Sequence, residues 1–159
     1  MCDGGRLKKS KRLEPVKKIA EGREAAAAGQ LAESVQKQRD SKEQLEKLKS
    51  YRDDYVARFK QQGVGGISAM RLQDYQAFVR KLNLAIDAQA RVVDEEKVKV
   101  DEHQKILKEK NGQKKAMEKL IGGIKKKEAV IDEKKEQNEA DDRGKGGGSG
   151  TDTLMGRFS

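Results

Sequence analysis

The sequence GVGGISAMRL at residues 63–72 has the composition of a tight turn followed by the start of a helix. Its three glycines can supply the positive φ angles that a sharp chain reversal needs. Ser68 can cap the following helix, because its hydroxyl accepts a hydrogen bond from a free backbone N–H. Ile67 and Leu72 flank this cap at the spacing of a hydrophobic staple, which fixes the angle of helix entry. We therefore predict a turn at residues 63–68.

The segment before the turn favours a long helix. Between residues 11 and 62 only Gly22 and Gly29 oppose helix formation, and the four alanines between them favour it. Pro15 fits the first turn of such a helix, where proline is tolerated. A hydrophobic seam with alternating spacings of three and four residues is clear only close to the turn, where it runs from Leu45 to Phe59.

The segment after the turn carries a stronger pattern. Apolar residues keep one register with spacings of three and four from Val79 to Ile131, and polar residues, among them His103, fill the remaining positions. The pair Asn111-Gly112 ordinarily signals a turn. Because the register passes through this pair without a slip, we predict one continuous helix over residues 69–141.

These segments predict an all-α protein in which two long helices form an antiparallel coiled-coil hairpin over residues 11–142. With the tip of the hairpin near residue 65, residue i should face about residue 130 − i. The N-terminal end of the first helix, at residue 11, should therefore lie opposite about Lys119. We expect residues 1–10 to be a flexible basic N-terminus and residues 143–159 a disordered Gly-rich tail. The composition agrees, since 40% of residues are charged and only 4% are aromatic.

Composition also limits the function. The single Cys2 cannot form an internal disulfide, no apolar run is long enough to cross a membrane, and we expect a cytoplasmic protein. No metal-binding motif, phosphate-binding loop or catalytic set is visible, so we expect neither cofactor nor metal nor enzymatic activity. The net charge of +9 indicates an acidic partner.

The positive charge is concentrated in two segments. Residues 1–20 hold seven Lys or Arg and two acids, and residues 103–135 hold eleven Lys and five acids. In a hairpin these segments meet at the end that carries the termini. The alternative is that these lysines form a solvated helix face without a partner.

Aromatic residues are concentrated near the turn. Gln44, Leu48, Tyr51 and Tyr55 recur at helical spacing on the first helix, and the second helix repeats that spacing with Tyr75, Phe78, Leu82 and Ala85. This stripe predicts a docking patch beside the seam. The alternative is that these rings pack against each other and lock the turn.

Several short motifs give the chain a family resemblance. The sequences KRLEPV at 11–16, YRDDY at 51–55, GIS at 66–68 and YQAF at 75–78 resemble those of the flagellar FliJ family. The resemblance covers about residues 11–140. It implies a soluble component of the bacterial flagellar type III export apparatus, with a fold similar to the central stalk of rotary ATPases.

The resemblance also implies partners and site residues. The partners are the hexameric flagellar export ATPase, the cytoplasmic domain of the membrane export gate and flagellar export chaperones, so that the protein acts at the cytoplasmic face of the inner membrane and touches it only through them. By position, the gate-binding residues are Gln44, Leu48, Tyr51, Tyr55, Phe78, Leu82 and Ala85. The stalk analogy places these basic residues in the ATPase ring: Lys8, Lys9, Lys11, Arg12, Lys17, Lys18, Lys119, Lys125, Lys126 and Lys127.

Two other functions are compatible with the residues. A basic coiled coil can bind nucleic acid, although the aromatics lie at the wrong end to stack on bases beside the lysines, and we expect no nucleic acid partner. A coiled coil can also serve purely as a spacer, in which case no partner would change its activity.

Overall fold

A computed structural model describes residues 7–146, which form two long helices. Helix α1 spans Lys9–Gln62 and helix α2 spans Ala69–Gly146, with one turn of 3-10 helix at Gly63–Gly65 between them. The two helices pack against each other, and the described residues contain no strand. The predicted all-α helical hairpin is confirmed. The structure does not describe residues 1–6 and 147–159. Most of the predicted flexible N-terminus and most of the predicted Gly-rich tail therefore lie outside the described residues.

The turn uses its glycines differently from the prediction. Only Gly66 has a positive φ, at 100°, among the described glycines. The expectation that all three glycines supply positive φ was wrong, because Gly63 and Gly65 continue the chain as 3-10 helix. Gly63 has another role: a Cβ atom there would lie 2.5 Å from Cδ1 of Ile67. The missing side chain of Gly63 therefore lets Ile67 pack over the turn.

Helix α2 begins with the predicted cap. The backbone N–H of Arg71 donates to Oγ of Ser68 at 3.3 Å, and the N–H of Leu72 donates to the carbonyl of Ser68 at 3.1 Å. One otherwise free N–H of the first turn is thus satisfied by a side chain.

Helix α1 begins earlier than predicted. It starts at Lys9, so Pro15 lies six residues inside the helix rather than in its first turn. A proline there has no N–H for the preceding turn and disfavours helix. The helix nevertheless continues toward the N-terminus, because Ser10 is held by hydrogen bonds to a side chain of α2.

Helix α2 is continuous through Gly112 and through the glycine pair at 122–123. Every position of the predicted register from Val79 to Glu128 is buried or half-buried. Ile131, the next position, is 53% exposed, and Asp132 lies half-buried instead. Assigning Ile131 to the seam was wrong, because the 3.6-residue period of an α-helix drifts against a strict heptad.

The facing rule also needs correction. It places residue 120 opposite Ser10 and residue 96 opposite Ser34, whereas these serines contact Glu128 and His103. In each helix the Cα–Cβ bonds tilt toward that helix's N-terminus. Antiparallel side chains therefore lean past each other, and in these two contacts the residue of α1 meets a residue further along α2 than the rule predicts. Closer to the turn the rule holds, since Gln89 contacts the backbone of Ser41.

The described chain divides into two compact units, which are treated separately below. The turn unit comprises residues 22–112 and includes the turn. The terminal unit comprises residues 7–21 and 113–146 of the described chain. The buried apolar residues of the described chain are Ala27, Ile86 and Val100 in the turn unit and Ile121 in the terminal unit.

Candidate partner-binding surfaces

Five aromatic side chains of the turn unit form a continuous cluster between the two helices. The rings of Phe59 and Tyr75 stack with centroids 3.7 Å apart and an interplanar angle of 10°. Tyr75 also stacks on Tyr55 at 5.8 Å, and Tyr55 contacts Phe78 at 4.6 Å. Tyr51 meets Phe78 edge to face at 6.3 Å and ends the cluster. Such ring pairs add to the stability gained from burial alone.

The structure divides the predicted gate-binding residues by exposure. Tyr51 is 56% exposed, and Gln44 and Ala85 are also exposed. The remaining four are half-buried: Leu48, Tyr55, Phe78 and Leu82. The cluster thus combines ring packing inside the hairpin with an exposed edge at Tyr51. Packing of the rings accounts for the half-buried members of the stripe, and the docking patch at its exposed edge stays a prediction.

Polar side chains fill gaps in the seam of the turn unit. Gln89 donates from Nε2 to the backbone carbonyl of Ser41 at 3.0 Å, and Arg52 donates to Oδ1 of Asn83 at 3.0 Å. Further from the turn, the hydroxyl of Ser34 is hydrogen-bonded to Nδ1 of the half-buried His103. The three-and-four register predicted that Gln89 and His103 lie in the seam, but it did not predict their hydrogen-bond partners. Those partners depend on how deeply each side chain is buried and how far it extends.

A cavity of about 260 Å³ lies beside the aromatic cluster, next to the turn. Its lining combines aromatic rings with two arginines and an acid. The residues are Tyr55, Arg58, Phe59, Gln62, Arg71, Asp74 and Tyr75. Apart from Tyr55, none of them belongs to the predicted gate-binding set.

All ten basic residues that were predicted to contact the ATPase lie in the terminal unit, but three of them are paired with acids. Lys8 forms an ion pair with Asp132, Lys125 pairs with Glu14 at 3.1 Å, and Lys17 pairs with Glu21 at 3.9 Å. Only the first two of these pairs reach across to α2, from Lys8 one residue before α1 and from Glu14 within it. These ion pairs therefore distinguish the basic residues that contact acids of the same chain from those that can interact with solvent or a partner.

These pairs shift the ionisation of their members. The hydrogen bond and charge of Lys125 lower the pKa of Glu14, and those of Lys8 lower the pKa of Asp132. The same contact with Asp132 raises the pKa of Lys8. Each shift favours the charged form, as an opposite charge at contact distance should.

Glu128 caps the first turn of α1 from the opposite helix. Its carboxylate accepts from the hydroxyl of Ser10 at 2.6 Å and from the backbone N–H of Ser10 at 3.2 Å. Ser10 is only 4% exposed, and its hydrogen bonds lower the pKa of Glu128. A carboxylate at a helix N-terminus is also stabilised by the helix dipole. This contact was not predicted from the sequence, although Glu128 occupies a register position.

Two other kinds of site can be sought in the described residues. No group of three or more His, Cys, Asp or Glu there could hold a metal ion. Within the same residues, neither helix has a stretch apolar and long enough to cross a membrane.

No curated protein and no solved structure matches this chain. A family model described as the flagellar FliJ protein matches residues 9–144, which is most of the chain and covers nearly all of both helices. The match agrees with the resemblance carried by the motifs around the turn, and this chain belongs to the flagellar FliJ family.

Proposed function

We propose that this protein is a non-enzymatic link in the bacterial flagellar export apparatus, joining the hexameric export ATPase to the cytoplasmic domain of the membrane export gate. Membership of the FliJ family makes it a component of that apparatus. In this proposal it also handles export chaperones. It acts at the cytoplasmic face of the inner membrane, which it reaches through its partners.

The observation that carries this proposal is the separation of two unlike surfaces into two units. The turn unit holds every aromatic side chain of the described residues, and the terminal unit holds every basic residue of the predicted ATPase contact. An aromatic edge and a basic surface suit partners of different chemistry, since aromatic anchors fill apolar pockets and lysines pair with acids. Two partners can therefore be bound without competing for one surface.

The gate-binding role is assigned to the exposed edge of the aromatic cluster. Tyr51 is the exposed end of the cluster, and its ring packs edge to face against Phe78. An aromatic side chain held by its neighbours loses little conformational freedom on binding, which favours affinity. Gln44 and Ala85 supply exposed neighbours on the two helices.

The experiment that tests the link uses both partners. Purified protein is titrated into the cognate flagellar export ATPase while ATP hydrolysis and ring formation are measured. It is then offered to the isolated cytoplasmic domain of the export gate. We expect stimulation of the ATPase and direct binding to the gate domain. A spacer would bind without stimulating the ATPase. If the protein fails to bind the ATPase, or fails to bind the gate domain, the proposed link is contradicted.

A further inference from the structure

The charged residues of the terminal unit are distributed unequally around its two helices. On one side of the seam, Glu14 of α1 contacts Lys125 of α2. We call the side that contains this pair the paired side. On the other side, α1 presents four residues at spacings of three and four, and none is acidic: Lys9, Arg12, Val16 and Ile19.

Helix α2 carries a matching stripe. Its residues recur at helical spacing from 116 to 134, and none is acidic: Ala116, Lys119, Leu120, Gly123, Lys126, Lys127, Val130, Ile131 and Lys134. Glu133 lies at the border of the stripe. Leu120, Lys127 and Ile131 lie across the α2 seam from Lys125, just as Val16 lies across the α1 seam from Glu14. Because Glu14 and Lys125 touch, the two stripes share the other side of the unit. We call their combined surface the acid-free face.

The cations of the acid-free face are available to a partner. Within the described chain, these six make no ion pair: Lys9, Arg12, Lys119, Lys126, Lys127 and Lys134. By contrast, the paired side uses Lys125 within the fold. Lysines outside the face, such as Lys11 and Lys18, also make no ion pair with any described residue. Acids such as Glu14 and Glu118, however, lie on their side of the unit. The acid-free face therefore differs from the rest of the unit in having cations without acids among them.

Aliphatic side chains lie among these cations. Leu120, Val130 and Ile131 on α2 are 51–53% exposed, and Ile19 on α1 is 54% exposed. Val130 and Ile131, together with the stems of Lys126 and Lys127, line a shallow groove of about 380 Å³. Contiguous exposed apolar surface is a mark of interaction sites, whereas single exposed aliphatic residues are normal on any protein.

We propose that the acid-free face is a one-sided docking surface for a protein that presents acidic side chains around a protruding apolar side chain. This inference rests on the proposed function, in which that protein is the export ATPase. The apolar side chain of the partner enters the groove beside Val130 and Ile131. Its acids pair with the lysines, whose longer side chains extend past the aliphatic floor of the groove.

The face suits a protein better than the other anionic surfaces. Interfacial helices on bilayers insert protruding apolar side chains and commonly use aromatic anchors. Here the apolar side chains form the floor of a groove, and the aromatic residues of the described chain all lie in the turn unit. Single-stranded nucleic acid is bound by stacking on aromatic rings, and the acid-free face has none.

The test compares charge reversal on the two sides of the same unit. The first variant combines Arg12→Glu, Lys127→Glu and Lys134→Glu on the acid-free face. The matched control combines Lys115→Glu, Lys135→Glu and Arg143→Glu, exposed residues of the same unit that belong neither to the acid-free face nor to the predicted ATPase contact. Both change the net charge by the same amount. Affinity for the purified export ATPase is measured at low and moderate salt, with helicity followed by circular dichroism.

We expect the first variant to bind the ATPase about tenfold or more weakly, and the control to stay within about threefold of the unmodified protein. A neutral variant, Leu120→Ser with Ile131→Ser, should also bind more weakly, whereas Ala129→Ser should not. Equal losses in both charge variants, with binding by the unmodified protein intact, would overturn the one-sided face and leave the proposed function standing.

Two further outcomes identify other errors. If the unmodified folded protein does not bind the ATPase at all, the proposed function and this inference both fail. Vesicles of phosphatidylglycerol and a single-stranded DNA oligonucleotide serve as alternative probes. If the first charge variant loses binding to either probe while its ATPase binding is unchanged, the occupant is not the ATPase and the proposal is overturned.

Discussion

The turn unit and the terminal unit hold the same two helices together by different interactions. In the turn unit, stacked rings such as Phe59 on Tyr75 connect α1 to α2. In the terminal unit, the connections are the carboxylate of Glu128 on Ser10 and the ion pair of Glu14 with Lys125. Ring packing depends little on salt or acid, whereas exposed ionic contacts weaken with both. The two regions of the hairpin should therefore respond differently to salt and to acid. Each region also exposes the same kind of side chain that joins its two helices, aromatic in the turn unit and charged in the terminal unit.

The largest expected effect on stability is at the buried seam of the turn unit. Ile86 is 6% exposed, so Ile86→Ala removes a packed side chain and should lower the free energy of unfolding by about 2–5 kcal/mol. The control is Leu84→Ala, two residues away on the same helix and 65% exposed, which should change it by less than about 0.5 kcal/mol. Urea unfolding followed by circular dichroism measures both. Equal costs would mean that the assigned seam is wrong.

The next prediction separates docking from packing in the aromatic cluster. Tyr51→Ala should weaken binding to the gate domain by about 2 kcal/mol, roughly thirtyfold, with little change in melting temperature, because the side chain is 56% exposed. Phe59→Ala should do the reverse, because its half-buried ring is stacked on Tyr75 of the other helix. Phe78→Ala should affect both, since this ring touches Tyr51 and Tyr55.

Isothermal titration with the gate domain and thermal melting provide the two readouts. If Tyr51→Ala melts as early as Phe59→Ala and binds the gate normally, the exposed edge is part of the packing and not a docking surface.

A smaller effect is expected at the polar layer of the turn unit. Ser34→Ala leaves Nδ1 of the half-buried His103 without its partner and should cost about 1–3 kcal/mol. Adding His103→Leu removes the unsatisfied group, so the double variant should recover most of that loss. Denaturant unfolding of the four proteins of this cycle measures the coupling. A double variant less stable than Ser34→Ala would show that the layer does not depend on this hydrogen bond.

The smallest effect concerns acid in the terminal unit. Glu14, Glu128 and Asp132 have lowered pKa values in the folded chain, so they stabilise it above their ordinary pKa values. That contribution is lost as the pH falls through the lowered values. Ser10→Ala should move the pKa of Glu128 back toward its ordinary value, which carboxyl chemical shifts during an acid titration can follow. An unchanged pKa in Ser10→Ala would show that Ser10 does not hold this carboxylate.

Much of the fold follows from local patterns in the sequence. The glycines and Ser68 locate the turn, and the register of α2 identifies the half-buried positions through Glu128, because both depend on residues close together in the chain. The register wrongly placed Ile131 in the seam, because the small angular difference between a 3.5-residue and a 3.6-residue period accumulates over a long helix. The early start of α1 depends on Glu128, more than a hundred residues away, so no local signal could predict it.

The surfaces were predictable in composition but not in geometry. The concentrations of lysine and of aromatic residues are visible in the sequence. Which lysines are paired depends on which acids lie across the seam, as for Lys125 with Glu14. Likewise, spacing placed Tyr51 and Phe78 in one stripe, but only the packing of the rings separates the exposed one from the half-buried one.

The central claim is that the two units bind two different partners. It is tested most directly by measuring ATPase stimulation and gate-domain binding on the same two variants. Tyr51→Ala should lose gate binding and keep ATPase stimulation. The variant with Arg12→Glu, Lys127→Glu and Lys134→Glu should lose stimulation and keep gate binding. If each variant impairs both activities to the same extent while remaining folded, the two surfaces do not serve separate partners and the account is contradicted.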